Sequence, residues 1–228
     1  FMKNTIFLLL SLATHFIVAA EPNTLTDAER AEGWKLLFDG KSVDGWRSYK
    51  TKDFPKAGWV VENGTLHKQA SVRGGDIMTI KTYENFEFAW EWKILEKGNN
   101  GVKYFITEER KATVGHEYQM TDDATAHDEF SSTASFYLVA KPAADKPMKP
   151  FGKWNTSRIV VNGNHVEHWL NGAKVLEYDC GSDAIMTQVP ETKFKKYPGF
   201  GEKVTGHILL TDHKDPCWFR NVKIRPLK

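Results

Sequence analysis

The strongest constraint on the fold is a stretch of strict alternation near the middle of the chain. Large apolar side chains occupy every second position from Phe86 to Ile94, and small or charged ones lie between them. A period of two sustained over about ten residues is typical of a β-strand that buries one face and leaves the other polar. We therefore expect a long strand here, with Glu91 and Lys93 on its polar face.

Turn signals and short apolar runs extend this pattern over most of the chain. The dipeptides Asn63-Gly64, Asn162-Gly163 and Asn171-Gly172 accept positive φ in two-residue hairpins, so 158–178 is expected to be a meander of three strands. Further strands are predicted at 34–38, 58–61, 65–68, 77–82, 101–107, 117–120, 134–140, 206–211 and 218–224. A short helix is expected between Thr26 and Gly33, and the segments 141–152 and 181–203 are expected to be long surface loops. This pattern predicts an all-β fold, an antiparallel two-sheet β-sandwich or jelly roll.

The first twenty residues have the pattern of an export signal. Met2 and Lys3 precede an apolar run that ends in small residues directly before Glu21. A buried N-terminal helix is the alternative reading of this segment. We expect residues 1–20 to be removed, 21–228 to form a single domain, and the protein to be periplasmic or secreted. No later segment has the length of a membrane span.

Charge and aromatic content favour a neutral ligand over a polyanion. The formal net charge is +2 with no basic block, which argues against nucleic acid as a partner. Trp 8, Tyr 7 and Phe 14 suit a stackable ligand such as a sugar, although most of these rings are expected in the core. Cys180 and Cys217 form either one disulfide or two buried thiols, and without a Cys-x-x-Cys pair they exclude a zinc site built on cysteine.

Several motifs in chain order carry a resemblance to a known family. They are Leu-Phe-Asp-Gly-Lys-Ser-Val-Asp-Gly-Trp at 37–46, the long strand followed by Gly-Asn-Asn-Gly at 98–101, Glu-Tyr-Gln at 117–119, Trp-Asn at 154–155, His-Trp-Leu-Asn-Gly at 168–172, Asp-His at 212–213 and Trp-Phe-Arg-Asn-Val at 218–222. Together they resemble the 3-keto-disaccharide hydrolase family, whose fold is similar to that of concanavalin A-type lectins and glucanases. The resemblance runs from Trp34 to Leu227. It departs from the family at Thr211, where Gln is usual, and at Lys214, where Gly is common.

The resemblance implies cleavage of glycosides whose sugar has been oxidised to a ketone at C3. That ketone acidifies the C2 hydrogen, so that a base can remove it and the group at C1 can depart by β-elimination, after which water adds to the unsaturated sugar. Such a site needs a base, an acid and a group that stabilises the enolate oxygen. The sequence requires no cofactor for this chemistry, although Asp122 and Asp123 with loop carbonyls offer oxygen ligands for a structural Ca²⁺.

Strand alternation selects the candidate site residues. In 116–121, Glu117 and Gln119 share one face while Tyr118 occupies the other. We predict that three residues act in catalysis: Glu117, Asp122 and His213. We predict that a further set binds substrate: Glu91, Lys93, Asn99, Lys103, Gln119, Tyr137, Trp154 and Arg158. Of these, Lys103 or Arg158 would stabilise the enolate, provided that the polar faces of their strands converge on one cleft.

Three other interpretations stay open on the sequence alone. His165 and Glu167 share a strand face and would suit a metal, but no third ligand is evident from spacing. An ordinary glucanase of this fold usually carries Glu-x-Asp-x-x-Glu on one strand, and Gln119 follows Glu117 here instead, which disfavours that function. A non-catalytic carbohydrate-binding module would use the same fold, because fold does not fix function.

Overall fold

The computed structural model describes residues 21–228, so the predicted export signal lies outside the described residues. Two α-helices occur in this part of the chain, α1 at Asp27–Ala31 and α2 at Asp183–Gln188. The strands are β1 Lys35–Leu36, β2 Trp46–Ser48, β3 Trp59–Glu62, β4 Thr65–Lys68, β5 Ile77–Thr79, β6 Phe86–Ile94, β7 Asn99–Ile106, β8 His116–Thr121, β9 Asn155–Asn162, β10 His165–Leu170, β11 Ala173–Asp179, β12 His207–Leu210 and β13 Cys217–Pro226. Short 3₁₀ turns lie at Asp123–Thr125, Glu129–Ser131, Val189–Glu191 and Lys193–Lys196.

The strands form two antiparallel sheets, which confirms the predicted β-sandwich. The larger sheet has eight strands in the order β11-β10-β9-β6-β13-β4-β3, with β1 also paired to β13. The smaller sheet has five strands in the order β2-β5-β12-β7-β8. Because β7 and β8 are sequence neighbours joined by an antiparallel ladder, Lys103 lies directly opposite Glu117. This register places two of the predicted site residues side by side.

The core between the sheets contains the apolar face of the alternating strand β6. Trp90 and Trp92 are buried, and their indole nitrogens donate to Met120 Sδ at 3.3 Å and to Ser157 Oγ at 2.8 Å. Tyr118 of β8 packs edge-on against Trp90, with ring centroids 5.0 Å apart. Burial of each such side chain contributes about 1.5–3 kcal/mol to folding. Since Tyr118 and Met120 point into the core, the alternate residues of β8 point to the outer face of the five-stranded sheet.

A buried polar chain crosses the same core. His168 Nδ1 lies 2.9 Å from the carbonyl oxygen of Ala134, so this nitrogen carries the proton and Nε2 accepts from the Tyr104 hydroxyl at 2.8 Å. Tyr104 in turn accepts from Tyr178 at 2.6 Å, and Tyr178 accepts from His116 Nδ1 at 2.8 Å. The donors and acceptors of this chain therefore alternate without conflict when the His168 imidazole is neutral.

Two predicted segments were assigned wrongly. The segment 134–140 is a series of turns with isolated bridges rather than a strand, because Ala134 and Leu138 both adopt a φ of 67° and so interrupt extended backbone. The segment 181–203 is not an irregular loop, since α2 and two 3₁₀ turns lie within it. Ile185 and Phe194 are buried there, so this segment packs against the sandwich.

The hairpin predictions were accurate except for one position. Asn63-Gly64 and Asn171-Gly172 have positive φ at both residues and close β3–β4 and β10–β11. In the β9–β10 hairpin the two loop residues are Gly163 and Asn164, one position later than predicted, and only Gly163 has positive φ. The strand β2 was not predicted, since its three residues are too few to show a period.

Cys180 and Cys217 are buried free thiols, which resolves the two alternatives that the sequence left open. Burial raises the pKa of Cys180 to about 12 and that of Cys217 well above its usual range. Neither thiol is therefore a nucleophile at neutral pH. Among residues 21–228, no helix has the length and apolar character needed to cross a membrane.

Candidate active site

A polar cavity of about 290 Å³ lies on the outer face of the five-stranded sheet. Strands β7 and β8 form its floor. The end of β12 and the residue before β5 form one side, and the segment after β8 together with the last 3₁₀ turn forms the other. Its lining residues are Asp76, Asn99, Lys103, Glu117, Gln119, Tyr137, Lys193, Thr211, Asp212 and His213. Six of the residues predicted from the sequence therefore meet here: Asn99, Lys103, Glu117, Gln119, Tyr137 and His213.

Glu117 is the carboxylate that the fold presents to this cavity without a hydrogen-bond donor. Only 9% of the residue is exposed, and its Oε2 lies 3.8 Å from Lys103 Nζ. Among the described residues, no group donates a hydrogen bond to this carboxylate. A carboxylate so nearly buried normally has donors, since leaving it without them costs free energy. Its lone pairs are therefore free to bind substrate or accept a proton.

Two lysines surround Glu117. Lys103 donates to the carbonyl oxygen of Thr113 at 3.2 Å, which fixes its ammonium near the carboxylate. Lys193 comes from the last 3₁₀ turn, and its Nζ lies 4.7 Å from the centroid of the Tyr137 ring. Lys193 is exposed as a residue, but partial desolvation of its ammonium lowers its pKa, with Lys103 adding to the effect and Glu117 opposing it. Burial, with Glu117 adding to it, raises the pKa of the Tyr137 phenol.

Close backbone approach sets the position of the Glu117 side chain. The carboxylate lies over Gly101 of β7, where a Cβ atom would come within 2.4 Å of Glu117 Oε1. Beside it, Gln119 Nε2 donates to Asn99 Oδ1 at 3.2 Å. The buried Asn100 donates to the carbonyl oxygen of Thr211 at 3.3 Å and so holds β7 to the end of β12. The Gly-Asn-Asn-Gly segment thus has a structural reason for its second glycine and for both of its asparagines.

A buried ion pair supports the other side of the cavity. Lys68 is fully buried at the end of β4, and its Nζ lies 2.9 Å from Asp212 Oδ1. The other oxygen of Asp212 accepts from the backbone of Gly74 and Gly75 at 3.0 and 2.6 Å. The Asp212 amide donates to Asp76 Oδ1 at 2.7 Å. Both carboxylate oxygens of Asp212 are therefore used in contacts that hold the fold together. Asp76 is oriented by its hydrogen bond from the Asp212 amide and lines the cavity.

Four predicted substrate-binding residues lie elsewhere, on the outer face of the eight-stranded sheet. Glu91 accepts from Arg220 and Asn221, both at 2.7 Å. Lys93 lies over the rings of Trp154 and Trp218, at 5.2 and 4.5 Å from their centroids.

Arg158, the fourth of these residues, lies 4.3 Å from the Trp169 ring centroid and donates to Glu87 at 3.3 Å. The expectation that all the polar faces converge was wrong for this group, which comprises Glu91, Lys93, Trp154 and Arg158. The two sheets turn their polar faces in opposite directions.

Asp122 is also outside the cavity. Its carboxylate accepts from the amide of Lys97 and from that of Ala124, both at 2.9 Å, so it ties a turn and caps the following 3₁₀ helix. Asp123 accepts from the amide of Thr133 and pairs with Lys146 at 2.8 Å. Because protein donors already engage these oxygens, the catalytic role predicted for Asp122 and the calcium site predicted for this pair are corrected to structural roles.

In the β10–β11 hairpin the structure adds a third possible metal ligand, Glu177, to His165 and Glu167. His165, Glu167 and Glu177 bring ligand atoms within 4.8 Å of one another. Lys174 donates to both glutamates, at 3.2 and 2.5 Å, and so already neutralises part of their charge. His165 also pairs with Asp179 at 2.9 Å. This cluster lies on an exposed hairpin of the eight-stranded sheet and takes no part in the cavity.

Comparison with known proteins decides the family. The family model described as a 3-keto-alpha-glucoside-1,2-lyase-like domain matches residues 33–225. The chain belongs to this family. A 3-keto-disaccharide hydrolase of Bacteroides thetaiotaomicron is 32% identical over 244 aligned residues, which cover 92% of this chain and 83% of the relative.

Solved structures agree with this family assignment. A candidate glycosyl hydrolase from Parabacteroides distasonis superposes with a TM-score of 0.82 at 34% identity, over 91% of this chain and all of that one. A second candidate glycosyl hydrolase from the same organism gives a TM-score of 0.66 at 28% identity, over 85% of this chain and 99% of that one. Membership of the family identifies the chain as an enzyme of the class that acts on glycosidic bonds.

Four of the ten residues that line the cavity were not among the predicted site residues: Asp76, Lys193, Thr211 and Asp212. Thr211 and Asp212 directly precede the predicted His213, whereas Asp76 and Lys193 come from segments without a site prediction. Asp76 follows a Gly-Gly pair in a segment without periodicity, and only its hydrogen bond from Asp212 indicates its orientation. Lys193 lies in the segment predicted as a loop, and its neighbours Lys195 and Lys196 give it no distinguishing pattern. The one usable signal was the TKF run at 192–194, in which Thr192 caps the 3₁₀ turn and Phe194 is buried.

Proposed function

We propose that the enzyme cleaves 3-keto glycosides, including 3-keto disaccharides, by removing the C2 proton, eliminating the group at C1 and adding water. The observation that carries this proposal is Glu117, a nearly buried carboxylate without a donor that lies beside two lysines in a polar cavity. Family membership supports glycoside cleavage, and the geometry of these three residues supports the elimination route.

In this mechanism Glu117 is the base. Its free lone pairs accept the C2 proton, and the electron pair of that C–H bond moves to form an enolate whose oxygen is the former C3 ketone. Lys103 lies opposite Glu117 and is fixed by Thr113, so its charge is in place before the enolate forms. A fixed cation next to developing negative charge is the most effective form of electrostatic stabilisation.

Lys193 is the proton donor to the leaving group. The C1–O bond breaks as the enolate collapses, and the departing oxygen takes a proton from the Lys193 ammonium. The lowered pKa of this lysine makes it a better acid than a free lysine. Water then adds to C1 of the unsaturated sugar and gives one proton to the neutral Lys193 amine, while protonated Glu117 returns its proton to C2. Both residues recover their starting charge, and one glycoside and one water yield a 3-keto sugar and an alcohol.

The ordinary glucanase mechanism lacks its second carboxylate on β8. Position 119, two residues after Glu117, is Gln, and Gln119 is engaged with Asn99. Direct displacement at C1 requires a pair of carboxylates at a defined separation. We therefore expect the enzyme to leave unoxidised disaccharides intact.

The test is Glu117→Gln, which keeps the shape of the side chain and removes its titratable group. We expect turnover of a 3-keto disaccharide to fall by about 10²- to 10⁴-fold while the melting temperature stays close to that of the wild type. Glu191→Gln, at an exposed position on the 3₁₀ turn preceding that of Lys193, is the matched control and should keep full activity.

Isotope exchange tests the route itself. In D₂O the wild type should incorporate deuterium at C2 of the released 3-keto sugar. Full turnover by a folded Glu117→Gln variant would remove this residue from the chemistry. Equal cleavage of oxidised and native disaccharides without exchange at C2 would favour the glucanase mechanism instead.

A further inference from the structure

A second cavity adjoins the polar cavity of the candidate active site, which is called the central cavity below. The two cavities share one wall. This second cavity has a volume of about 210 Å³. It and the central cavity are both lined by Lys103, Glu117 and Lys193. The three residues to which we assign the chemistry therefore form the boundary between two spaces, and a substrate that reaches across this boundary would place one part in each.

The lining of the second cavity differs in character from that of the central one. Beyond the three shared residues, the second cavity is lined by Val114, Phe194 and Tyr197 together with Thr113, Gly115 and Lys196, whereas the central cavity has the amides of Asn99 and Gln119 and the carboxylates of Asp76 and Asp212. Phe194 is buried and stacks on Phe200 with centroids 4.2 Å apart, so it forms a rigid base. Tyr197 is half-buried and lines this cavity, and Lys196 Nζ lies 5.3 Å from the centroid of its ring.

A third cavity of about 410 Å³ meets the central one through Asp76 and Asp212, and it shares Thr113 with the second cavity. Its aromatic residue is Tyr49, and its charged residues include Arg73 and Lys111. The second and third cavities are therefore the two candidate sites for the group that leaves C1.

The proposed chemistry discriminates between these two spaces. The base acts at C2 and the leaving oxygen is on C1, the adjacent carbon, so the leaving group must lie next to Glu117 and the acid Lys193. Both residues line the second cavity and neither lines the third. A half-buried aromatic ring beside polar side chains is also the usual platform for the apolar face of a sugar ring.

Resting on the proposed function, we propose that the second cavity is the leaving-group subsite, in which Tyr197 stacks against the sugar released from a 3-keto disaccharide. The polar central cavity holds the oxidised sugar, whose hydroxyl groups match Asn99 and Gln119. Tyr197 is then a specificity residue: it contacts the part of the substrate that a methyl glycoside lacks.

The experiment compares two substrates on two tyrosine variants. The substrates are a 3-keto disaccharide and methyl 3-keto-glucoside, which has the same oxidised sugar and no second ring. Tyr197→Ala should lower kcat/KM for the disaccharide by roughly 10-fold or more, mainly through KM, and change it less than about twofold for the methyl glycoside. Tyr197→Phe keeps the ring, so its kcat/KM for the disaccharide should stay close to that of the wild type. Tyr49→Ala, the matched change in the third cavity, should leave both values near those of the wild type.

Each other outcome identifies which idea is wrong. An equal loss on both substrates, or no loss on either, in a folded Tyr197→Ala variant would overturn the subsite while the proposed function stands. A loss of kcat/KM for the disaccharide alone, found in Tyr49→Ala and not in Tyr197→Ala, would place the leaving group in the third cavity and so overturn the subsite as well. Failure of the wild type to cleave both methyl 3-keto-glucoside and the 3-keto disaccharide would refute the proposed function, and the subsite with it.

Discussion

Acidification should destabilise the fold through the buried imidazole of His168. Burial lowers the pKa of His168 to about 4, whereas in the unfolded chain it returns to about 6.5. Between these values the unfolded state binds a proton that the native state does not, so the free energy of unfolding falls as pH falls. The contribution of neutral His168 to the free energy of unfolding is complete well above pH 6.5. It is about 2 kcal/mol smaller at pH 5 and about 3 kcal/mol smaller once the pH is below 4.

The structure explains why the native state resists this proton. His168 Nε2 accepts from the Tyr104 hydroxyl, and a proton on that nitrogen would meet a donor. Burial and nearby Arg110 and His168 lower the pKa of His116 well below its usual range, so His116 acts in the same direction. The loss between pH 7.5 and pH 5 should therefore be at least about 2 kcal/mol.

Urea denaturation at pH 7.5, 6 and 5 measures this dependence, because it gives the free energy of unfolding at each pH. The variant His168→Gln lacks the titrating group and should show a dependence shallower by about 2 kcal/mol over the same range. Nitrogen NMR of the native protein should find His168 neutral, with the proton on Nδ1, at pH 5. A stability that does not change between pH 7.5 and 5, or a His168 that titrates near pH 6.5 in the folded protein, would refute this reasoning.

The remaining predictions concern the site, the ion pair beneath it, the thiols and export. Gly101→Ala places a methyl group within 2.4 Å of Glu117 Oε1, so turnover should fall at least tenfold with little change in melting temperature; unchanged turnover would contradict the tight position of this carboxylate. Lys68→Met leaves Asp212 buried without its cation and should cost about 3–5 kcal/mol in urea denaturation, and adding Asp212→Asn should recover part of this loss. Both cysteine thiols should react with a thiol reagent only after unfolding, and a fast reaction of the native protein would count against their burial. Mass spectrometry of protein recovered from the envelope or medium should find an N-terminus near Glu21, and an intact leader would contradict export.

Strand alternation correctly predicts the face of the candidate site residues that lie in β6, β7 and β8. It paired Glu117 with Gln119 and placed Lys103 opposite the buried Tyr104, and these assignments depend only on the period of two within one strand. The same rule assigned Glu91 and Lys93 correctly to the polar face of β6. It could not say that β6 and β8 belong to different sheets, whose polar faces point away from each other. That assignment depends on which strands pair, which is set by contacts far apart in the chain.

The sequence by itself determined the class of fold, the hairpins to within one residue, and the face of each candidate residue that lies in a strand, because turn chemistry and side-chain alternation act over a few residues. The order of its motifs indicated the family. Tertiary structure alone decided which faces meet. It gave Asp122 a capping role, removed Trp154 and Arg158 from the cavity, and added Asp76 and Lys193, which come from irregular segments on either side of it. The physical reason is that pairing register and loop packing maximise burial over the whole chain, and no short segment contains that information.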